Sequence, residues 1–175
     1  MKPKQVLDGK GVKEALEEMA SKIFEGAEDM DNLILVGIIT RGVALANRIS
    51  GIARKRYGVD LKVASLDTTP FRDDIGDRAV EDRSNVPFNI TGAEVVLVDD
   101  VMSTGRTVRA AMDALISKGR PKSIRVAVLI DRGHRELPIS ADYVGVQIPT
   151  SVRERIRVRL KEIDGGEDGA YVTTR

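Results

Sequence analysis

The chain has 175 residues, 42% of them hydrophobic, which suits one domain (1–175) with a substantial core and excludes a disordered class. Its 28 basic and 27 acidic residues nearly cancel, so any cationic binding face has to be local. The absence of cysteine and the single histidine exclude a disulfide framework, a thiolate nucleophile and a multi-histidine metal site; with no apolar run long enough for export or a membrane, a cytoplasmic location is expected.

Val12, Leu16, Met19, Ala20, Ile23 and Phe24 recur at helical spacing and predict an amphipathic helix over 11–26, with Glu17, Glu18 and Lys22 on or near its wet face. Residues 32–39 are short, apolar and rich in β-branched side chains, the pattern of a buried parallel strand. They end in Thr40-Arg41-Gly42. A second helix follows, with Ala44, Leu45, Ile49, Ile52 and Ala53 on one side and Tyr57-Gly58 at its stop. The next strand is 61–66. Residues 67–91 then break the pattern: they are dense in charge, carry two prolines and lack an apolar period. A connection of that length inside one domain suggests a lid, here expected over about 68–90 with part of it as a hairpin.

Residues 95–98 read as a buried strand that ends in two carboxylates, Asp99 and Asp100. A turn of small and hydroxylated residues follows, and a helix is expected to open near Thr104 with Val108, Ala111, Met112, Leu115 and Ile116 as its apolar stripe. Loop N–H groups at a helix start, with the positive end of the dipole behind them, make a seat for phosphate. The acids beside it suit sugar hydroxyls, or a metal that the phosphates share. The loop is not a Walker A motif, because no G-K-[ST] follows the glycine, and G-x-G-x-x-G is also absent. Phosphate joined to a polyhydroxylated sugar is a phosphoribosyl group.

Residues 124–130 form another buried strand, which runs into Asp131-Arg132-Gly133-His134-Arg135. A short strand is expected over 143–148. Over 152–163, Ile156, Val158 and Leu160 alternate with Arg155, Arg157, Arg159 and Lys161, the period of a half-buried edge strand. Gly165-Gly166 turns into a tail that can act as its hairpin partner. Strands alternating with helices imply an α/β fold: a mainly parallel twisted sheet flanked by helices. Ligands of such sheets lie beyond the carboxyl ends of the strands, where Thr40-Arg41-Gly42, Asp99-Asp100 and Asp131-Arg132 converge. Arg41 can take two oxygens of a leaving pyrophosphate, and Gly42 allows close backbone approach.

The stretch VVLVDDVMSTGRT closely resembles the signature of type I phosphoribosyltransferases for phosphoribosyl pyrophosphate (PRPP). With GIITRG, LDTTPFRDD, VAVLIDRGHRELPI and DYVGVQIPT in order, the resemblance narrows to the PyrR family, pyrimidine-operon attenuators that are also uracil phosphoribosyltransferases, over about 33–163. The resemblance implies a type I phosphoribosyltransferase core with a mobile loop and a small hood, built from the N-terminal helix and about 132–175. It implies that uracil and PRPP give UMP and pyrophosphate with Mg²⁺ carried by PRPP near Asp99 and Asp100. It assigns PRPP to Thr40, Arg41, Gly42, Asp99, Asp100, Val101, Met102, Ser103, Thr104, Gly105, Arg106 and Thr107. Arg41, Asp99, Asp100 and the loop residue Arg72 serve catalysis, and Arg132, Tyr143 and Val144 read the base. Ser103 stands where purine-specific relatives tend to carry an acid. His134 and Arg135 would meet the leader of a pyr mRNA, under control of UMP or UTP, in a homodimer or tetramer. Ser140 and Val146 replace cations of RNA-binding members, and Glu17 and Glu18 add repulsion, so hairpin binding is expected to be weakened.

Overall fold

The computed structural model describes residues 3–76 and 78–174. In chain order the elements are β1 (Lys4–Leu7), α1 (Gly9–Gly26), β2 (Leu33–Ile38), α2 (Arg41–Tyr57), β3 (Lys62–Leu66), β4 (Glu94–Met102), α3 (Arg106–Ile116), β5 (Ser123–Asp131), β6 (Tyr143–Gln147), β7 (Glu154–Arg159), α4 (Lys161–Asp164) and β8 (Gly169–Thr174). Five strands form one sheet in the order β3-β2-β4-β5-β6, and every neighbouring pair is parallel. This is the expected mainly parallel α/β architecture. A second, antiparallel sheet has the order β1-β8-β7.

The sheet is apolar because both faces are covered. All six residues of β2 are buried. On one face, Leu16, Met19 and Ile23 of α1 and Leu45 and Ile49 of α2 pack against Leu35, Val96, Val98 and Leu129. On the other, Ala111, Ala114 and Leu115 of α3 meet Val36, Val95 and Leu97. Asp8 starts α1 by accepting a hydrogen bond from the Gly11 N–H at 2.8 Å. Gly58, at φ +67°, ends α2 in the left-handed conformation that glycine favours.

Several expectations are corrected. The first helix packs in one cluster with the main sheet and with Val158 and Ala170 of the small sheet, which is made by β1, β7 and β8. β1 has no apolar period of its own and is ordered by pairing with β8 from the far end of the chain. β4 does not stop at the acids: it runs through Asp99 and Asp100 to Met102, because its register with β5 continues to Asp131. α3 begins at Arg106, after Gly105 turns the chain at φ +90°. The alternating stretch ends as a strand at Arg159 and closes with the single turn of α4.

The long connection contains a 3-10 turn at Thr69–Phe71 and one antiparallel bridge, Ser65 to Asn85, and no hairpin forms among its described residues. Its two ends are tied at Asp67. The Asp67 N–H donates to the Ser84 hydroxyl at 2.8 Å, and the buried Asp67 carboxylate accepts from Thr69 and Arg83. Burial pushes this carboxyl up, but those hydrogen bonds outweigh it and hold it at about 2.

Gly37 sits under the start of α2. A Cβ there would stand 2.5 Å from the Val43 nitrogen and 2.6 Å from the Gly42 oxygen, backbone atoms that cannot swing away. Gly37→Ala should therefore lower stability by about 2 kcal/mol or more, read as a shift of the urea midpoint at constant slope.

Candidate active site

The register of the parallel sheet puts Met102 beside Asp131 and Asp131 beside Gln147, so three carboxyl ends form one rim. Two helices begin at that rim. Neither Thr40 before α2 nor Gly105 before α3 caps its helix with a side-chain hydrogen bond. At α3 the Arg106 N–H donates to the Thr104 hydroxyl at 3.2 Å; beyond that bond, both helix starts present backbone N–H groups and positive dipole ends. A Cβ on Gly42 would strike the Val98 carbonyl and lie 3.3 Å from the Asp99 Cα, so only glycine lets α2 start this close to β4. Asp99 and the turn from Met102 to Thr107 line one cavity of about 80 Å³.

The two aspartates fold back on their own strand. The Asp100 N–H donates to Asp99 Oδ1 at 2.9 Å, and the Val101 N–H donates to Asp100 Oδ1 at 2.9 Å. Burial raises both carboxyls above the usual range; the charge of Asp100 adds to the rise at Asp99, and the charge of Arg41 opposes it at Asp100. Two crowded, desolvated carboxylates call for hydroxyl donors or a cation. No group of three or more His, Cys, Asp or Glu is placed to hold a metal among the described residues. The pair thus fits a divalent ion only if other oxygen ligands come with it, as the phosphates of a sugar diphosphate would.

Arg41 donates to Asp164 Oδ1 of α4 at 2.6 Å, while its buried Nε has no partner among the described residues. Asp164 was not legible in the sequence as a site residue. It is held by a second bond, from the Leu160 N–H at 3.0 Å. A groove of about 600 Å³ starts at Thr40 and runs between α2 and α4.

The other expected site residues divide into those at the rim and those that frame it. Met102 is buried, and its carbonyl accepts from the Arg132 N–H at 3.0 Å; Val101 is half-buried against the core. The Thr104 carbonyl accepts from the Glu136 and Leu137 N–H groups, which braces the turn before α3. The Arg106 side chain points out of the turn, to Asp73 at 2.6 Å and Glu136 at 2.7 Å. Arg72 lines a recess of about 290 Å³ with Thr104 and Thr107, and its guanidinium is held by Asp74 at 2.6 Å.

Arg132 donates to the Thr150 hydroxyl at 2.7 Å and lines a cavity of about 230 Å³ with Asp131, Gly133, Gln147 and Pro149. Tyr143 and Val144 are not part of it. They begin β6, at the far end from the rim. Tyr143 is buried, with its hydroxyl accepting from Arg125 at 3.1 Å, and Val144 packs beside Val126 and Val128. Gln147 ends the strand, and Thr150 lies just beyond it; counting residues along β6 would have pointed to them. Arg135 is engaged within the protein. Its guanidinium spends its donors on Asp131, the Ser103 carbonyl and the Ile139 carbonyl, at 2.5–2.9 Å. His134, at φ +65°, has its Nε2 2.7 Å from the Thr150 carbonyl oxygen.

Residues 3–162 match the model of the phosphoribosyl transferase domain. The "Bifunctional protein PyrR" of Streptococcus uberis is 50% identical over 165 residues, 94% of each chain. That of Pelotomaculum thermopropionicum is 53% identical over 166 residues, 93% of this chain and 92% of its own. Among solved structures, a hypoxanthine-guanine phosphoribosyltransferase of Bacillus anthracis superposes with a TM-score of 0.73 at 21% identity, covering 99% of this chain and 100% of its own. The hypoxanthine phosphoribosyltransferase of Trypanosoma cruzi gives 0.72 at 18%, covering 98% and 96%. At those identities the structures speak for the fold alone.

A carboxyl whose folded pKa lies above its unfolded value destabilises the protein once pH exceeds the unfolded value, near 3.9. Stability from this source falls as pH rises. Asp99→Asn and Asp100→Asn should thus raise the melting temperature at about pH 8, with a smaller gain at about pH 5, measured by scanning calorimetry. A loss of stability at both pH values would contradict the raised pKa.

Proposed function

Since this chain belongs to the phosphoribosyl transferase domain family, and within it to the bifunctional PyrR proteins, we propose that it converts uracil and PRPP to UMP and pyrophosphate and regulates pyrimidine genes through an mRNA leader. The observation that carries the transferase reading is the pair of helix starts on either side of two crowded carboxylates, at one rim of the sheet.

In this reading the N–H groups from Ser103 to Thr107 hold the 5′-phosphate at the start of α3, and Asp99 and Asp100 accept the ribose hydroxyls. Pyrophosphate leaves C1 of the sugar while positive charge grows on the ring. The first turn of α2 and Arg41 receive the leaving group, with Arg41 exchanging the Asp164 carboxylate for phosphate oxygens. No covalent nucleophile is required; the uracil nitrogen bonds to the same carbon as the C–O bond to pyrophosphate breaks, and its proton passes to solvent or to the departing pyrophosphate. Mg²⁺, carried by PRPP beside Asp99 and Asp100, supplies further charge neutralisation to the diphosphate when bound. The base lies toward Arg132, with Gln147 and Thr150 as the polar groups nearest it. The segment from 68 to 90 acts as the lid, and Arg72 reaches the phosphates once it releases Asp74. Ser103, where an acid would serve a purine, favours uracil.

The regulatory half of the reading rests on the relatives' description as bifunctional. It gains support from the cations that remain exposed, and it places the protein in the cytoplasm as a homodimer or a tetramer. No helix of the described residues is long and apolar enough to cross a membrane.

A transfer assay with labelled PRPP, Mg²⁺ and each free base in turn tests the reading. Uracil should be consumed, and hypoxanthine, guanine and cytosine should not. Asp100→Asn and Arg41→Ala should each lower kcat/KM by about a hundredfold or more, roughly 3 kcal/mol of transition-state stabilisation. Turnover unchanged in both variants would remove these residues from the chemistry.

A further inference from the structure

The alternating arginines of β7 have no task in the transfer reaction. Ile156 and Val158 face the core, whereas Arg155, Arg157 and Arg159 are exposed on the opposite face. The register sets Arg155 opposite Thr173, Arg157 opposite Tyr171 and Arg159 opposite Gly169. On the next strand Gln5 stands opposite Tyr171. Residues directly opposite in an antiparallel pair share a face. The outer face of the small sheet thus carries three guanidiniums, a phenol, a hydroxyl and an amide, and none of its strand positions is acidic.

The arginines are also unmatched. Arg41, Arg48, Arg72, Arg106 and Arg135 all form an ion pair with a carboxylate; these three form none among the described residues, although the charge of Arg157 helps to lower the Asp164 carboxyl. In a chain whose charges nearly cancel, a face without acids is a local surplus of positive charge. Pro3, Arg157, Arg159, Tyr171 and Thr173 line an open groove of about 530 Å³ there. From Arg155 to Arg159 the strand spans about 13 Å, with a cation at every second residue. That length exceeds one phosphate or a diphosphate and suits a run of phosphates along an extended chain. An aromatic ring beside the middle cation adds a surface on which a base can stack.

We propose that the outer face of the small sheet binds a single-stranded segment of RNA, with Arg155, Arg157 and Arg159 on successive backbone phosphates and Tyr171 stacked on a base. This rests on the reading of the protein as an RNA-binding regulator and gives that partner a place apart from the transfer site. It also answers the internal engagement of Arg135, which leaves that guanidinium few donors for phosphate.

The test uses the full chain and two fluorescent RNAs, a transcript of the leader of its own pyrimidine operon and a short unstructured RNA, with anisotropy read between about 50 and 200 mM salt. Arg155→Gln/Arg157→Gln/Arg159→Gln should weaken both RNAs roughly a hundredfold at the lower salt, and flatten the slope of log K against log salt by about 2. Tyr171→Leu should weaken binding by roughly fivefold or more, and Tyr171→Phe should restore it. Transfer activity and melting temperature should stay as in the wild type. Leader binding and salt slope unchanged in the triple variant would overturn this placement while leaving the RNA reading intact, and would assign the arginines to blunting the open edge of β7. A wild-type protein that binds neither RNA would overturn both.

Discussion

The approach of Gly42 to the carbonyl of Val98 governs the site. Because no side chain intervenes, the first turn of α2 rests on the end of β4 and comes within van der Waals distance of Asp99. Burial raises the carboxyls of the two aspartates beside it. Gly105 turns the chain into α3, where the Arg106 N–H donates to the Thr104 hydroxyl at 3.2 Å and Gly105 itself offers no side-chain cap. Open helix N–H groups and crowded acids are each unfavourable in the free protein. Together they complement a ligand that carries phosphates at two ends and hydroxyls between them. Local instability and ligand complementarity are thus two aspects of one arrangement.

The surroundings hold this arrangement in place through charged side chains. Arg135 links Asp131 at the end of β5 to the Ser103 carbonyl in the phosphate turn. Arg106 ties the start of the long connection, through Asp73, to Glu136. Asp67 closes the base of that connection with Arg83 and Ser84. At the other side of the site, Arg48 grips Glu162 at 2.5 Å and Asp168 at 2.6 Å, which fixes the turn that presents Asp164 to Arg41. The C-terminal segment therefore takes part in the site, although it contributes no residue to the main sheet.

The main sheet was legible because buried parallel strands leave a continuous apolar run, and β2, β4 and β5 each have one. The phosphate turn and the acids were legible because residues adjacent in sequence form them. What the sequence hid depends on residues far apart in it. β1 is too short and polar to announce itself and exists through its pairing with β8. The length of β4 is set by its register with β5, and the acids alone suggested an earlier stop. The family resemblance named Tyr143 and Val144 on β6, but the strand's carboxyl end, at Gln147, follows only from its pairing with β5. Arg135 looked free for RNA because the Ser103 carbonyl, 32 residues away, meets it only in the fold. Asp164 lies 123 residues from Arg41, so no spacing rule could connect them.

A crystal structure of the protein with UMP bound tests the phosphate seat most directly. The 5′-phosphate should lie within hydrogen-bonding distance of the N–H groups between Ser103 and Thr107, with both ribose hydroxyls on Asp99 and Asp100. A phosphate held elsewhere, or a ribose with no contact to those aspartates, would contradict the seat and the chemistry derived from it.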